Sequence, residues 1–159
     1  MFKEMRRKEK VMNEQACEEL LLGGEYGVLG TISENGYPYL TPLNYVYYNN
    51  RIYFHSAIKG GKLDNIEVND KVSFCVVDDV KLLRAEFDTD YKSVIVFGQA
   101  YESKDDEKIL ALKAIIGKYS KDFVEEGYKY IEKSGISTRV FGINIEHITG
   151  KYQDSSGAK

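Results

Sequence analysis

The stretch 52-IYFHSAIKGGKLDNI-66 holds the residue types best suited to chemistry. A β-patterned run ends at His55 and Ser56, Gly60 and Gly61 interrupt it, and Lys62 opens a segment with Leu63 and Ile66 at helical spacing. The first N–H groups of a helix have no intrahelical partner and lie at the positive end of its dipole, so such a junction can hold an anion. Glycine lets the backbone approach a ligand closely, Ser56 offers a hydroxyl, and Lys59 and Lys62 offer full charges. A phosphate suits these groups. A plain strand–turn–helix connection with solvated lysines suits them equally. The spacing is not GxxxxGK[ST], and no GxGxxG is present, so neither a P-loop nor a Rossmann site is supported.

Other reactive side chains are sparse. His55 and His147 are the two histidines, and with scattered carboxylates they form no metal-ligand spacing, so no metal site is expected. Ser56, His55 and Asp64 lack the GxSxG context of a nucleophile elbow. His55 sits inside the motif and suits either ligand contact or packing, while His147 is expected at a rim or interface. Cys17 and Cys75 have no CxxC spacing and read as small core residues. Thirteen tyrosines and no tryptophan supply amphipathic rings for partly buried interfaces, notably Tyr37, Tyr39, Tyr45, Tyr47 and Tyr48.

The elements that would carry these groups follow from punctuation and period. Asn13 is a plausible cap for a helix over 14–22 that buries Cys17, Leu20 and Leu21, with Gly23-Gly24 as its stop. Strands are expected from Tyr26 to Ile32, from Tyr37 to Tyr48 and over 51–56, joined by turns at Asn35-Gly36 and Asn49-Asn50. Residues 62–68 read as a short helix, with further strands at Val72 to Val77 and Tyr91 to Glu102. Between the latter two, residues 78–90 are acidic without a clear period and are expected to be a solvated loop. A helix from Ser103 is expected to bury Ile109, Leu112, Ile115, Ile116 and Tyr119. A weaker helix over 121–133 and a strand from Arg139 to Ile148 complete the chain. Six strands joined mostly by short turns, with helices at the periphery, predict a mainly β fold, an antiparallel barrel in one domain over 1–159. Residues 1–12 form an arm and 152–159 a flexible tail in this reading. Pro38 and Pro42 within a strand pattern imply an edge, bulge or bend.

Composition bounds the function classes. The chain has 159 residues, 43% hydrophobic and 30% charged, with a net charge of -3, so nucleic acid is not an expected partner. The basic run Lys3, Arg6, Arg7, Lys8, Lys10 is interleaved with Glu4 and Glu9, and suits a solvated arm or an anion-binding one. With no apolar run near the ~18 residues of a membrane span and no secretory h-region, a cytoplasmic location and no membrane partner are expected.

The block 26-YGVLGTISENGYPYLTPLNYVYYNNRIYFHSAIKGGKLDNI-66, preceded by Met5-Arg6-Arg7-Lys8, resembles the FMN-binding split-barrel superfamily. Within it the likeness is to pyridoxamine 5′-phosphate oxidase-like proteins of the nitroimidazole-resistance (Nim) branch. The strings 91-YKSVIVFGQA-100 and 143-INIEHITGK-151 match that family's long and closing strands, so the likeness spans about residues 5–151. It implies a six-stranded split barrel and a homodimer with FMN in clefts between subunits. Thr41, Pro42, Leu43, Asn44 and Tyr45 match the strand along the isoalloxazine ring. His55, Ser56 and Ala57 match positions near the ribityl chain and phosphate, Lys62 the phosphate-binding lysine, and Ser93 a flavin-contacting position. Gly61 stands where the oxidase has arginine, which weakens the clamp unless Lys59 substitutes. The implied activity is an FMN-dependent oxidoreductase reducing a small oxidised acceptor such as a nitro compound, with NAD(P)H a candidate donor. The alternative is a non-catalytic flavin- or haem-binding module. Pyridoxamine phosphate oxidation itself is not expected, because the ending 152-YQDSSGAK-159 lacks that oxidase's Arg- and His-bearing tail.

Overall fold

The residues that turn the chain decide where its elements begin, and a computed structural model describes residues 2–155. Asn13 caps α1 (Glu14–Gly23), its side chain accepting the Ala16 N–H at 2.8 Å. Then come β1 (Gly27–Ile32), β2 (Pro38–Leu43), β3 (Val46–Tyr48), β4 (Arg51–Ser56), α2 (Gly61–Val68), β5 (Lys71–Leu83) and β6 (Asp88–Ser103). After these follow α3 (Asp105–Tyr119), α4 (Val124–Ser134) and β7 (Arg139–Gln153). Asn49 and Asn50 both take positive φ, 49° and 55°, as a two-residue hairpin between β3 and β4 requires. Gly36, at φ 84°, closes the β1–β2 turn.

The strands hydrogen-bond in the order β2-β1-β5-β6-β7-β4-β3, each neighbouring pair antiparallel. The two edges, β2 and β3, are consecutive in the chain and joined only by Asn44 and Tyr45. Laid flat, seven strands at ~4.8 Å spacing put the edges roughly 29 Å apart, whereas three Cα–Cα steps reach at most about 11 Å. The sheet must therefore curl on itself, with β2 and β3 side by side but unpaired. This is a mainly β, antiparallel split barrel. Its seven strands rather than six come from a break in the strand expected over 37–48. The Tyr119 hydroxyl accepts the Tyr45 N–H at 3.0 Å and lies 2.8 Å from the Tyr45 carbonyl and 2.6 Å from that of Glu25. That one side chain takes up the backbone groups where the chain leaves β1's side and crosses to pair with β4.

Three further expectations change. Residues 78–90 are not a loop but mostly the end of a long β5–β6 hairpin, whose register shifts between Asp78 and Lys81 and resumes at Lys81↔Asp90. Both faces of this ribbon are largely exposed, so no apolar alternation marks it, and backbone pairing alone builds it. The buried face of α3 is Ala111 and Ile115 with Leu112 and Ala114 packed alongside, while Ile109 and Tyr119 stay exposed. The helix is rotated because Glu107 faces the sheet. Its carboxylate accepts from Tyr53 at 2.8 Å and Tyr101 at 2.6 Å, with Arg51 3.7 Å away. Finally, β7 runs on to Gln153, so Tyr152 and Gln153 belong to a strand. Residues 156–159 of the expected tail, and Met1 of the arm, lie outside the described residues.

The core lies inside the curl, filled by alternate residues of each strand: Leu29 from β1, Phe74 and Val76 from β5, Val94 and Val96 from β6, Phe54 from β4 and Ile143 from β7, with Leu21 of α1 and Tyr45. A register shift at Phe97/Gly98 gives β7 one extra residue. Gly98 is needed there, since a Cβ would stand 2.1 Å from the Asn144 carbonyl oxygen. Tyr119→Phe is expected to destabilise the fold by about 1–2 kcal/mol in urea unfolding, because the Tyr45 N–H loses its acceptor. An unchanged midpoint would deny the hydroxyl its role at the crossing.

Candidate functional site

Ser56 ends β4, and residues 57–60 carry the chain to α2. Gly60 has φ 153°, a conformation L side chains rarely adopt, and its carbonyl accepts from Leu63 N at 2.8 Å and Asp64 N at 3.3 Å. The Gly61 and Lys62 N–H groups are then the first donors of α2 without an intrahelical acceptor. The helix is held from below. Leu63 and Ile66 are buried, and buried Asn65 donates to Thr31 Oγ1 at 2.9 Å and Ser33 Oγ at 3.5 Å. Asn65 is a positioning residue that apolar periodicity could not reveal.

The Tyr39 ring of β2 comes within 3.8 Å of where a Gly61 Cβ would be. The start of α2 and the edge strand β2 therefore lie side by side. Because β2 pairs only with β1, the backbone groups of its alternate residues have no neighbouring strand. Two hydroxyls in these segments, Ser56 Oγ and Thr41 Oγ1, are buried without a hydrogen-bond partner. A buried unpaired hydroxyl costs about 1–3 kcal/mol, and such a cost is met where a ligand or water completes the bond. A phosphate-bearing planar cofactor fits these donors: oxyanions for the helix start and Lys62, backbone groups for a ring edge.

A charged brace that the sequence reading missed stands beside this junction. Ser56 is in register with Arg139 of β7. The Arg139 guanidinium makes a two-pronged bond to Glu102 of β6, both contacts at 2.9 Å, reaches Glu67 of α2 at 3.5 Å, and donates to the Ile58 carbonyl at 3.4 Å. It ties the 57–60 connection and α2 to two strands. The registers of β4 and of β6 on β7 bring these four residues together, so no local spacing announced them.

The expected site residues divide into groups. Ser56, Ala57 and Lys62 belong to the α2 junction, and Thr41, Pro42, Leu43 and Asn44 follow along β2 to the crossing. Lys62 is half-buried, while Pro42, Asn44, His55 and Ala57 are exposed. Tyr45 departs from expectation. Its side chain is fully buried, bonded to the Leu21 carbonyl at 2.7 Å, and Tyr119 occupies its N–H, so it faces the core rather than a ligand. Lys118 borders the same crossing with Asn44; its ammonium lies 3.9 Å over the Tyr45 ring, and burial pushes its pKa down to about 8. Ser93 lies on β6, paired with Val77 of β5 and Lys151 of β7, three strands from β2 in the sheet order. His147 is half-buried on β7 and stacks on Phe2 of the arm at 4.5 Å. Among the described residues no group of three metal-ligating side chains occurs, and no helix is long and apolar enough to cross a membrane.

Curled antiparallel sheet, helix-bearing connection after β4 and long closing strand together define a split-barrel protein. The family model described as pyridoxamine 5′-phosphate oxidase matches residues 13–152, and the chain belongs to that family. Among solved structures, it is similar to a candidate 5-nitroimidazole antibiotic resistance protein from Bacteroides thetaiotaomicron, at 26% identity and TM-score 0.78, over 89% of this chain and 86% of that one. It shares its fold with a FAD and haem binding protein from Mycobacterium smegmatis, at 15% identity and TM-score 0.81, over 94% and 76%. A FAD-binding protein from Mesorhizobium loti aligns at 23% identity and TM-score 0.64, over 91% and 98%. No curated protein matches the chain.

The brace carries a pH signature. Hydrogen bonds from Arg139 hold the Glu102 carboxyl below its ordinary value of 4.5, outweighing burial. A carboxylate with a depressed pKa contributes stability above that value and loses it as pH falls through the folded pKa. Glu102→Gln is therefore expected to lower stability at pH 7 by about 1–2 kcal/mol, the range for a partly exposed charged pair. The gap to the parent should close below pH 4.5 in thermal melts; a gap that is constant with pH would contradict the assignment.

Proposed function

We propose that this protein binds FMN through the α2 junction and β2 and acts as an oxidoreductase on a small oxidised acceptor, a nitro compound being the class suggested by the nitroimidazole-resistance relative. The observation that carries this reading is the approach of the edge strand β2, through Tyr39, to the α2 start with its Gly61 and Lys62 amides and half-buried Lys62, beside the unpartnered Ser56 hydroxyl. The Lys62 ammonium and the two amides would hold the phosphate dianion, with Ser56 as a further donor. Backbone groups from Thr41 to Asn44 would line the ring edge, with Tyr39 beside Gly61.

Bound flavin would supply the two-electron redox chemistry, leaving position and polarity to the protein. Neither His55 nor any other side chain is assigned as an acid or base. The cleft is proposed to belong to a homodimer, with Ser93 a further proposed flavin contact. NAD(P)H is the proposed electron donor and the cytoplasm the proposed location.

The test begins with the spectrum of purified protein and the mass of any released cofactor. Flavin bands bleached by NAD(P)H and restored by a nitro acceptor support the enzyme. A Soret band, or a flavin that nicotinamide never reduces, supports instead a binding module without turnover, and the fold shared with a FAD and haem binding protein makes that outcome worth measuring. Lys62→Ala is expected to weaken FMN binding by about 1–3 kcal/mol, the scale of losing a charged hydrogen-bond partner. Unchanged affinity would remove the anchor.

A further inference from the structure

The N-terminal arm is held down in a way that gathers positive charge at the end of β7 remote from the α2 junction. Val11 bridges Lys151, the Met12 N–H donates to the Gly150 carbonyl at 2.9 Å, Lys10 donates to the Gln153 side chain, and the Phe2 ring stacks on His147. These contacts bring Arg6, Arg7 and Lys10 together with Lys151 and Tyr91 around a hollow of about 390 Å³. The one carboxylate at its rim, Asp88, accepts a hydrogen bond from Gln153 at 3.1 Å.

Four other cations sit against carboxylates: Lys8 faces Glu4, Arg51 faces Glu107, Lys92 faces Asp79 and Arg139 faces Glu102. Among the described residues, Arg6, Arg7 and Lys151 form no such pair, although the chain as a whole is net negative. Four cations against one carboxylate leave an excess of three positive charges in a small concavity. That excess complements a diphosphate, and two guanidinium groups offer the forked donors that phosphate oxygens accept. Lys151 lies 5.4 Å from the centre of the Tyr91 ring, so an aromatic surface adjoins the cations. The volume falls within the ~300–1,000 Å³ of small-molecule sites.

We propose that Arg6, Arg7, Lys10 and Lys151 form a second anion site, separate from the Lys62 junction, which binds the diphosphate of an adenine nucleotide. Two sources share that chemistry: a nicotinamide dinucleotide and the adenylate half of FAD. Calorimetric titration of the full chain with ADP, and with adenosine as the uncharged reference, tests the site directly. ADP is expected to bind at least tenfold tighter than adenosine and to weaken steeply with salt. Arg6→Gln/Arg7→Gln should lose tenfold or more in ADP affinity with an unchanged circular dichroism spectrum, and Arg6→Lys/Arg7→Lys should recover part of it. In the Gln variant, weaker FAD binding with FMN unaffected assigns the site to the flavin dinucleotide, whereas weaker NADPH binding assigns it to the donor. Because ADP is measured alone, failure of flavin to bind leaves this result readable. Equal affinity for ADP and adenosine, or full ADP affinity in the Gln variant, overturns the proposal.

Discussion

The two-sided ladder of β7 is the constraint on which the rest of the molecule depends. Its backbone pairs with β6 from Tyr91↔Gln153 to Ser103↔Val140 and with β4 from Arg51↔Asn144 to Ser56↔Arg139. Every buried N–H and C=O must find a partner, so a strand used on both sides determines where β4 and β6 can lie. The two-residue crossing from β2 to β3 then forces the sheet to curl, and its edges meet without pairing. The bulge opposite Gly98 lets β7 bend while both ladders stay formed.

Opposite ends of this strand carry different electrostatic environments. At the Arg139 end, positive charge is consumed internally: the guanidinium is bonded to Glu102, with Glu67 and the Ile58 carbonyl also in reach. The phosphate-type chemistry there comes instead from helix-start amides, Lys62 and an unpaired hydroxyl. At the Lys151 end, Arg6, Arg7 and Lys10 of the arm line a hollow with Lys151 against the single carboxylate of Asp88, so positive charge is left in excess there. One strand thereby separates a braced junction from an open cationic hollow.

Burial explains why the junction stays in shape. Asn65 satisfies its amide on Thr31 and Ser33, locking the underside of α2 to β1. On the far side of the crossing, the carboxylate of Glu107 is kept ionised by the Tyr101 and Tyr53 hydroxyls and Arg51, which together outweigh the opposing effect of burial. That anchor turns α3 so that Tyr119 reaches the crossing backbone. In the 57–60 connection the positive φ falls on Gly60, where the residue type tolerates it.

Local chemistry was legible in the chain itself. The Asn13 cap, the Asn35-Gly36 and Asn49-Asn50 turns, the β4 limits and the α2 junction all depend on residues within a few positions of one another, and their types alone report them. Family likeness, spread over most of the chain, was legible for the same reason. What the sequence could not express is pairing between distant segments. The acidic ribbon from 78 to 90 has no apolar period because neither face is buried, so its hairpin is visible only in the ladder. The break at Asn44 and Tyr45 depends on a hydroxyl contributed from α3, the Arg139 brace on the registers of β4 and β6 against β7, and the cationic hollow on an arm laid against Gly150 and Lys151. Residue type and short spacing determine local conformation; long-range hydrogen-bond register, which carries no signature in any one segment, decides which side chains meet.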